Sequence, residues 1–254
     1  MPVTIAPDPA LTTTSTTPAA PRENVPRSAA AFLAMMAALV VLKLAIDRWF
    51  PGAFASPQQA KLYSWVALEI LTVTGLIATW CASRTGFPET WDPEVPLTHR
   101  LVLPIAVGLA LGALAIVVDD LTGWTVIVAK QLNIPTIQIR YPASALIYPG
   151  GALISNIVTY AWIPILMWLA GLATRGRWER ERFWVFGTLC ALIEPIGDFG
   201  LVGHPGIVAV TFAQDFALNI AQVYTFRRAG FASCVIVRVA FYLVWHVMWG
   251  AIRG

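Results

Sequence analysis

The stretch LVLPIAVGLALGALAIVVDDL, residues 101–121, decides the fold. Its first eighteen residues, 101–118, carry no charge. At 1.5 Å per residue such a helix covers about 30 Å, the thickness of a bilayer's hydrocarbon layer. Two acids, Asp119 and Asp120, close the run where a membrane span would reach the interface.

Runs of the same kind lie on either side. Spans are expected near 29–47, 62–83, 146–172, 183–199, 207–225 and 231–251, which makes 101–121 the third of seven. Composition agrees. The 254 residues are 57% hydrophobic and 12% charged, against roughly a quarter charged in a soluble domain. The 18 glycines and 18 prolines are enough to interrupt or kink several helices. The expected fold is all-α: a polytopic membrane bundle of seven transmembrane helices. The mixed segment GWTVIVAKQLNIPTIQIRYP, 123–142, reads as interfacial or re-entrant, and 123–150 would add an eighth element if it inserts. Residues 1–28 are rich in Thr, Pro and Ala and have no core pattern, so they read as a disordered cytoplasmic tail ahead of a transmembrane domain over 29–254. The first apolar run begins near Ala29 without a cleavage site after it, which argues against a signal peptide.

Basic residues orient the chain. With the N-terminus in the cytoplasm, the inside segments hold Arg22, Arg27, Arg84, Arg100, Arg175, Arg177, Arg180, Arg182, Arg227 and Arg228. The outside segments hold Arg48, Lys61, Lys130, Arg140 and Arg253, and the C-terminus is then outside. The expected location is the cytoplasmic membrane, crossed several times. The net charge of +3 is spread over short loops, so nucleic acid is not an expected partner. Cys81, Cys190 and Cys234 fall in or beside apolar runs without CxxC spacing, as buried inert thiols would.

Function has to come from the polar groups inside the spans. A charge at a span's centre costs on the order of 2.5–3.5 kcal/mol and needs a partner, water or a task. In ALIEPIGDFG, 191–200, Glu194 and Asp198 are one helical turn apart and share a face. Helical rise places Asn156 roughly 15 Å and Asp215 about 12 Å below the outer surface. Glu194, Asp198 and His246 fall in the same outer half, Tyr242 close to the middle, and Arg238 lies deeper. The proposed catalytic groups are Glu194, Asp198, Asp215, His246 and Arg238, the acids exchanging protons and Arg238 or His246 tuning them. Asn156, Tyr160, Trp162, Asn219, Tyr242 and Trp245 are the proposed substrate contacts. Blander roles compete: His246 as a helix–helix hydrogen-bond former, Gln214, Asn219 and Gln222 as glue between helices, Asp119 and Asp120 as mere span ends. One span histidine with several carboxylates suits zinc poorly, although His204 could approach the mouth, so no metal and no cofactor are expected.

Three segments resemble the CPBP family, the CAAX-protease and bacteriocin-processing intramembrane proteases, over about residues 60–250. YPASALIYPGGALISNIVTYAWIPILMWLAGL (141–172) is similar to the family's segment leading into its EExxxR helix. RFWVFGTLCALIEPIGDFGLVGHPG (182–206) is similar to the helix with FxxxH, and FALNIAQVYTFRRAGFASCVIVRVAFYLVWHVMWG (216–250) to the last two helices with HxxxN or HxxxD. The resemblance implies a CPBP-like helix bundle. It does not carry over the peptidase chemistry. The EExxxR slot holds Ser155, Asn156 and Tyr160; the FxxxH slot holds Glu194 and Asp198; the HxxxN/D slot holds Arg238 and Tyr242, with His246 one turn beyond. Drift in an unused cavity would favour apolar side chains, yet the slots stayed polar.

Three readings follow. The first is a non-proteolytic acid–base enzyme, of isomerase, cyclase or dehydratase type, acting on a lipophilic small molecule from the bilayer. The second is a pseudo-protease that serves as scaffold or binding subunit for a membrane-protein partner; it expects the polar groups to pair among themselves, for example Arg238 with Asp215. The third is a residual intramembrane protease.

Overall fold

The structure, a computed structural model, describes residues 25–131, 133–134, 136–198 and 205–253, with the backbone alone of Gly197 and Asp198. The tail 1–24 and His204 lie outside the described residues. Among those described, the regular elements are all helices: α1 (Val25–Trp49), α2 (Pro57–Leu62), α3 (Trp65–Arg84), α4 (Leu103–Thr122), α5 (Trp124–Gln131), α6 (Ser144–Tyr160), α7 (Trp162–Thr174), α8 (Glu179–Asp198), α9 (Pro205–Ala229), α10 (Phe231–Tyr242) and α11 (Trp249–Arg253). A π-helical turn, Thr98–Val102, leads into α4, and a second, Leu243–Met248, joins α10 to α11.

Among the described residues, six helical rods are long and apolar enough to cross a bilayer: α1, α3, the Thr98–Thr122 rod, α6 with α7, α9, and the Phe231–Arg253 rod. The chain is a multi-pass membrane protein whose outer helix faces contact lipid. The helix α8 has twenty residues, as long as α3, but it opens with Glu179, Arg180, Glu181 and Arg182 and carries Glu194 and Asp198 near its end. Those charges separate it from the six. It packs along α9 and α7.

Two boundaries differ from the sequence reading. The first helix begins at Val25, so the last four residues assigned to the tail are helical. The mixed segment after α4 forms the eight-residue α5 and then an irregular stretch whose Ile139 and Ala143 are buried against the bundle. Gly123, at φ 61°, ends α4 in the left-handed region and turns the chain into α5.

Close packing comes from small residues. A Cβ on Gly108 would stand 2.3 Å from the Val237 carbonyl oxygen, and one on Gly112 would stand 2.8 Å from the Val244 Cβ. With fully buried Ala115 they form a flat stripe on α4 against which α10 lies, the most extensive helix contact among the described residues. Pro164 lacks the N–H that would bond the Tyr160 carbonyl, and the α6–α7 rod breaks at Ala161.

Polar clamps fix both ends. At one end Arg27 meets Glu89, Ser28 meets Thr90, and Arg227 reaches Glu179 and the carbonyls of Thr85 and Gly86. Gly230, at φ 92°, makes the α9–α10 turn, and a Cβ there would lie 2.1 Å from the Glu89 carbonyl oxygen. At the other end Arg253 pairs with Asp120, Trp249 donates to Asp119, and Tyr63 donates to the Ile147 carbonyl. Burial pushes the Tyr63 phenol up, so it stays protonated as a donor.

Candidate functional site: a buried arginine behind an apolar cavity

Arg238 on α10 is fully buried, and every nitrogen of its guanidinium has an acceptor. Nη1 and Nη2 grip the Glu194 carboxylate of α8 with two parallel bonds, 2.9 and 2.7 Å. Such a fork is the strongest geometry open to the pair and fixes both side chains. Nη2 also donates to Asn219 of α9 at 2.6 Å and Nε to Gln222 at 3.1 Å, while the second Nη1 hydrogen is shared between the hydroxyls of Ser155 at 2.8 Å and Tyr242 at 3.2 Å. Four helices, α6, α8, α9 and α10, therefore meet on one cation.

A second ring of amides and one phenol closes around it. Tyr160 donates to Asn219 at 2.8 Å and contacts Gln222 at 3.2 Å. Gln222 donates to Asn156 at 2.8 Å, and Asn156 donates to the Ala152 carbonyl at 2.7 Å. Asn219 donates to the Ala191 carbonyl at 3.1 Å, tying α9 to α8 just before Glu194. Asn156, Tyr160 and Asn219, expected as substrate contacts, are fully buried, and their polar atoms are bonded to Gln222, to Arg238, to each other or to backbone carbonyls. Their task is to hold Arg238.

The cavity lies on the other side of Ser155 and Tyr242. It measures about 300 Å³ and runs between α2, α6 and the Leu243–Met248 turn, with Tyr63, Ile147, Tyr148, Ile154, Val158 and His246 among its walls. Val158 and Leu62, both strongly exposed, flank its mouth, so the opening is apolar. Most of the lining is hydrocarbon, with a few convergent polar groups, the usual make-up of a small-molecule site.

His246 sits in the π-helical turn, an irregularity frequent at functional sites. Its ring stacks on Tyr148, with centroids 4.1 Å apart and planes 8° from parallel, and meets Tyr242 edge-on at 4.8 Å. Its Nδ1 is 2.7 Å from the Gln138 Oε1, which also accepts from the Tyr148 hydroxyl at 3.3 Å. An amide oxygen only accepts, so Nδ1 carries the proton and Nε2 keeps its lone pair. No described residue hydrogen-bonds that Nε2, and His246 lines the cavity.

The remaining candidates are placed elsewhere. Glu194 does not line this cavity; its side chain is 39% exposed on another side, with both oxygens on Arg238. Arg238 takes Glu194 as its ion-pair partner in place of Asp215, the partner the scaffold reading named. Asp215 lies one turn before Asn219 on α9, half-buried and within electrostatic reach of Tyr242. The Asp198 side chain lies outside the described residues. Trp162, just past the break at Ala161, is 46% exposed on the outer surface. Trp245 is buried in a separate cluster, stacked on Trp124 at 5.7 Å, because one helical step turns it about 100° from His246. The expected single chamber of acids is thus two things: a closed ionic knot and, beside it, a cavity edged by hydroxyls and an imidazole.

Sequence reasoning missed Ser155, Tyr148 and Gln138 as site residues. A signal existed for two of them: Tyr148 and Ser155 are seven apart and lie on one face of α6. No group of three or more His, Cys, Asp or Glu able to hold a metal occurs among the described residues. Comparison with protein-family models, with curated proteins and with solved structures found no match for this chain.

Proposed function

We propose that the chain is a non-proteolytic membrane enzyme, an isomerase that moves a proton within a lipophilic carbonyl compound drawn from the bilayer. The observation that carries this reading is the grouping of Ser155, Tyr242 and His246 on the wall of one apolar-mouthed cavity, with Arg238 behind the two hydroxyls. The two hydroxyls share the one Nη1 N–H of Arg238 that Glu194 does not take, so each keeps its own proton to donate and is polarised as a donor. A substrate carbonyl between them would have its developing oxyanion held by two preset hydrogen bonds backed by a fixed cation. The His246 Nε2 would take a proton from the carbon between that carbonyl and a neighbouring carbon–carbon double bond and return it to the far carbon of the dienolate, with no co-reactant. The Glu194 carboxylate is not the base in this scheme. It keeps Arg238 charged and aimed.

The seven-crossing topology belongs to the same proposal. The N-terminal end of α8 and the C-terminal end of α9 meet through Glu179 and Arg227, so α8 runs antiparallel to α9 beside it, and twenty residues suffice for a crossing. The ends of α3, α8 and α9 clustered there carry Arg84, Arg180, Arg182, Arg227 and Arg228, which supports a cytoplasmic side there and, on this reading, a cavity in the opposite leaflet. Six residues in the slots of three CPBP motifs, Ser155, Asn156, Tyr160, Glu194, Arg238 and Tyr242, join one hydrogen-bond network. That convergence supports a CPBP-like bundle with a repurposed centre.

The complete satisfaction of Arg238 favours a second reading, a catalytically silent subunit in which the knot only locks helices together. Incubation of the purified protein with an organic extract of membranes, followed by mass spectrometry, separates the two. The enzyme reading expects one lipophilic species to be converted to an isomer of equal mass, with His246→Ala and Tyr242→Phe inactive though folded. No conversion by the native protein, together with a protein partner that co-purifies equally with native chain and both variants, would establish the scaffold instead.

A further inference from the structure

Two adjacent glycines in the middle of α6 stand there for different reasons. Glycine inside a helix is less stable than alanine, so each position needs an explanation. Packing explains Gly150. A Cβ on it would stand 2.6 Å from the Tyr63 hydroxyl and 3.0 Å from the Leu39 Cδ1. Packing does not explain Gly151. Beyond its own helix backbone, a Cβ there would meet one described atom within 4 Å, the Tyr63 hydroxyl, at 3.6 Å, an ordinary contact. Backbone conformation does not explain it either, because Gly151 is helical without a positive φ.

Gly151 does line the apolar-mouthed cavity. With Ile147, Ser155 and Val158 it forms one stripe along α6, four residues before the hydroxyl that Arg238 polarises. We propose that Gly151 is a specificity-determining residue: its missing side chain is the room in which the part of the substrate next to the reacting carbonyl lies. The proposal rests on the isomerase reading of this cavity. Any larger residue would advance the α6 wall beside Ser155 and admit only slimmer compounds. Helix stability is given up at this position for space near the reacting group, a common opposition of stability and function.

The test separates room from stability, using the full chain in detergent. Thermal unfolding is followed by tryptophan emission. Gly151→Ala should unfold at the native temperature or about 2–4 °C above it, and Gly150→Ala should unfold below it. Room in the cavity is read on Ser155→Cys, treated with N-ethylmaleimide or the bulkier N-phenylmaleimide, the three native thiols being buried. Adding Gly151→Val should slow the phenyl reagent by about tenfold or more and leave the ethyl reagent nearly as fast. On the membrane extract, Gly151→Ala should slow conversion of the isomerised species by about tenfold or more. A phenyl-to-ethyl rate ratio that Gly151→Val leaves unchanged would overturn the proposal while the isomerase reading stands. So would Gly151→Ala unfolding well below the native protein, since packing would then hold the glycine. A changed ratio with no conversion by native protein would support Gly151 as the residue that limits what enters, and would count against the isomerase reading alone. Reaction of Ser155→Cys with neither reagent would overturn both.

Discussion

Replacing Glu194 by Leu leaves Arg238 charged without its ion-pair partner, at a position with no solvent exposure. Breaking a buried ion pair from one side costs about 3–5 kcal/mol. The Glu194 side chain is 39% exposed, so the pair is not wholly buried, and about 2–3 kcal/mol is the expected loss. Arg238→Met should cost about as much, because Asn219 and Gln222 are then left to share the one Tyr160 proton while Glu194 keeps its charge. The double variant Glu194→Leu/Arg238→Met removes both charges. Ser155 and Tyr242 can still bond water from the cavity they line. The double should therefore be less destabilised than the sum of the singles by about 2 kcal/mol or more, the mark of a true pairwise interaction. Reversible unfolding in mixed micelles, followed by tryptophan emission, measures all four corners of the cycle. Singles that each cost under about 1 kcal/mol, or a double that equals their sum, would refute the reasoning, since the knot would then be a surface pair of little consequence.

Three further outcomes are expected. Gly108→Leu should prevent accumulation of folded protein or cost more than about 3 kcal/mol, because a Cβ already meets the Val237 carbonyl oxygen at 2.3 Å; expression and thermal unfolding check it, and a native-like variant would show that α4 and α10 do not pack this closely. Tyr160→Phe should cost about 1 kcal/mol, since Arg238 still donates to both Asn219 and Gln222, and the same unfolding assay reads it. Ser155→Cys should react with a membrane-soluble maleimide while native Cys81, Cys190 and Cys234, all buried, stay unlabelled; an unlabelled Ser155→Cys would close the cavity.

Much of the bundle is legible because hydrocarbon imposes a length and a polarity that sequence records directly. The six apolar rods are of this kind. α8 is read less securely because its amphipathic start and its two acids resemble a surface helix. The polar residues of the spans are equally visible, and Arg238, Glu194, Tyr160 and Asn219 do meet. What composition does not carry is rotation about each helix axis. Glu194 and Asp215 differ in their relation to Arg238 by which way their helices turn, and Trp245 and His246, adjacent in sequence, face different clusters. Gln138 is invisible for another reason: it stands in an irregular segment without periodicity, and only the fold brings it to His246. The stripe of Gly108, Gly112 and Ala115 was readable from spacing and would have paired α4 with its neighbour.

The central claim is that His246 and the two hydroxyls backed by Arg238 move a proton on a carbon acid. The most direct measurement is mass spectrometry of a membrane extract incubated with the protein in deuterium oxide. The account predicts that one lipophilic species gains deuterium at carbon with native protein and gains none with His246→Ala. Equal labelling with and without the imidazole, or no labelled species from folded native protein, would contradict it.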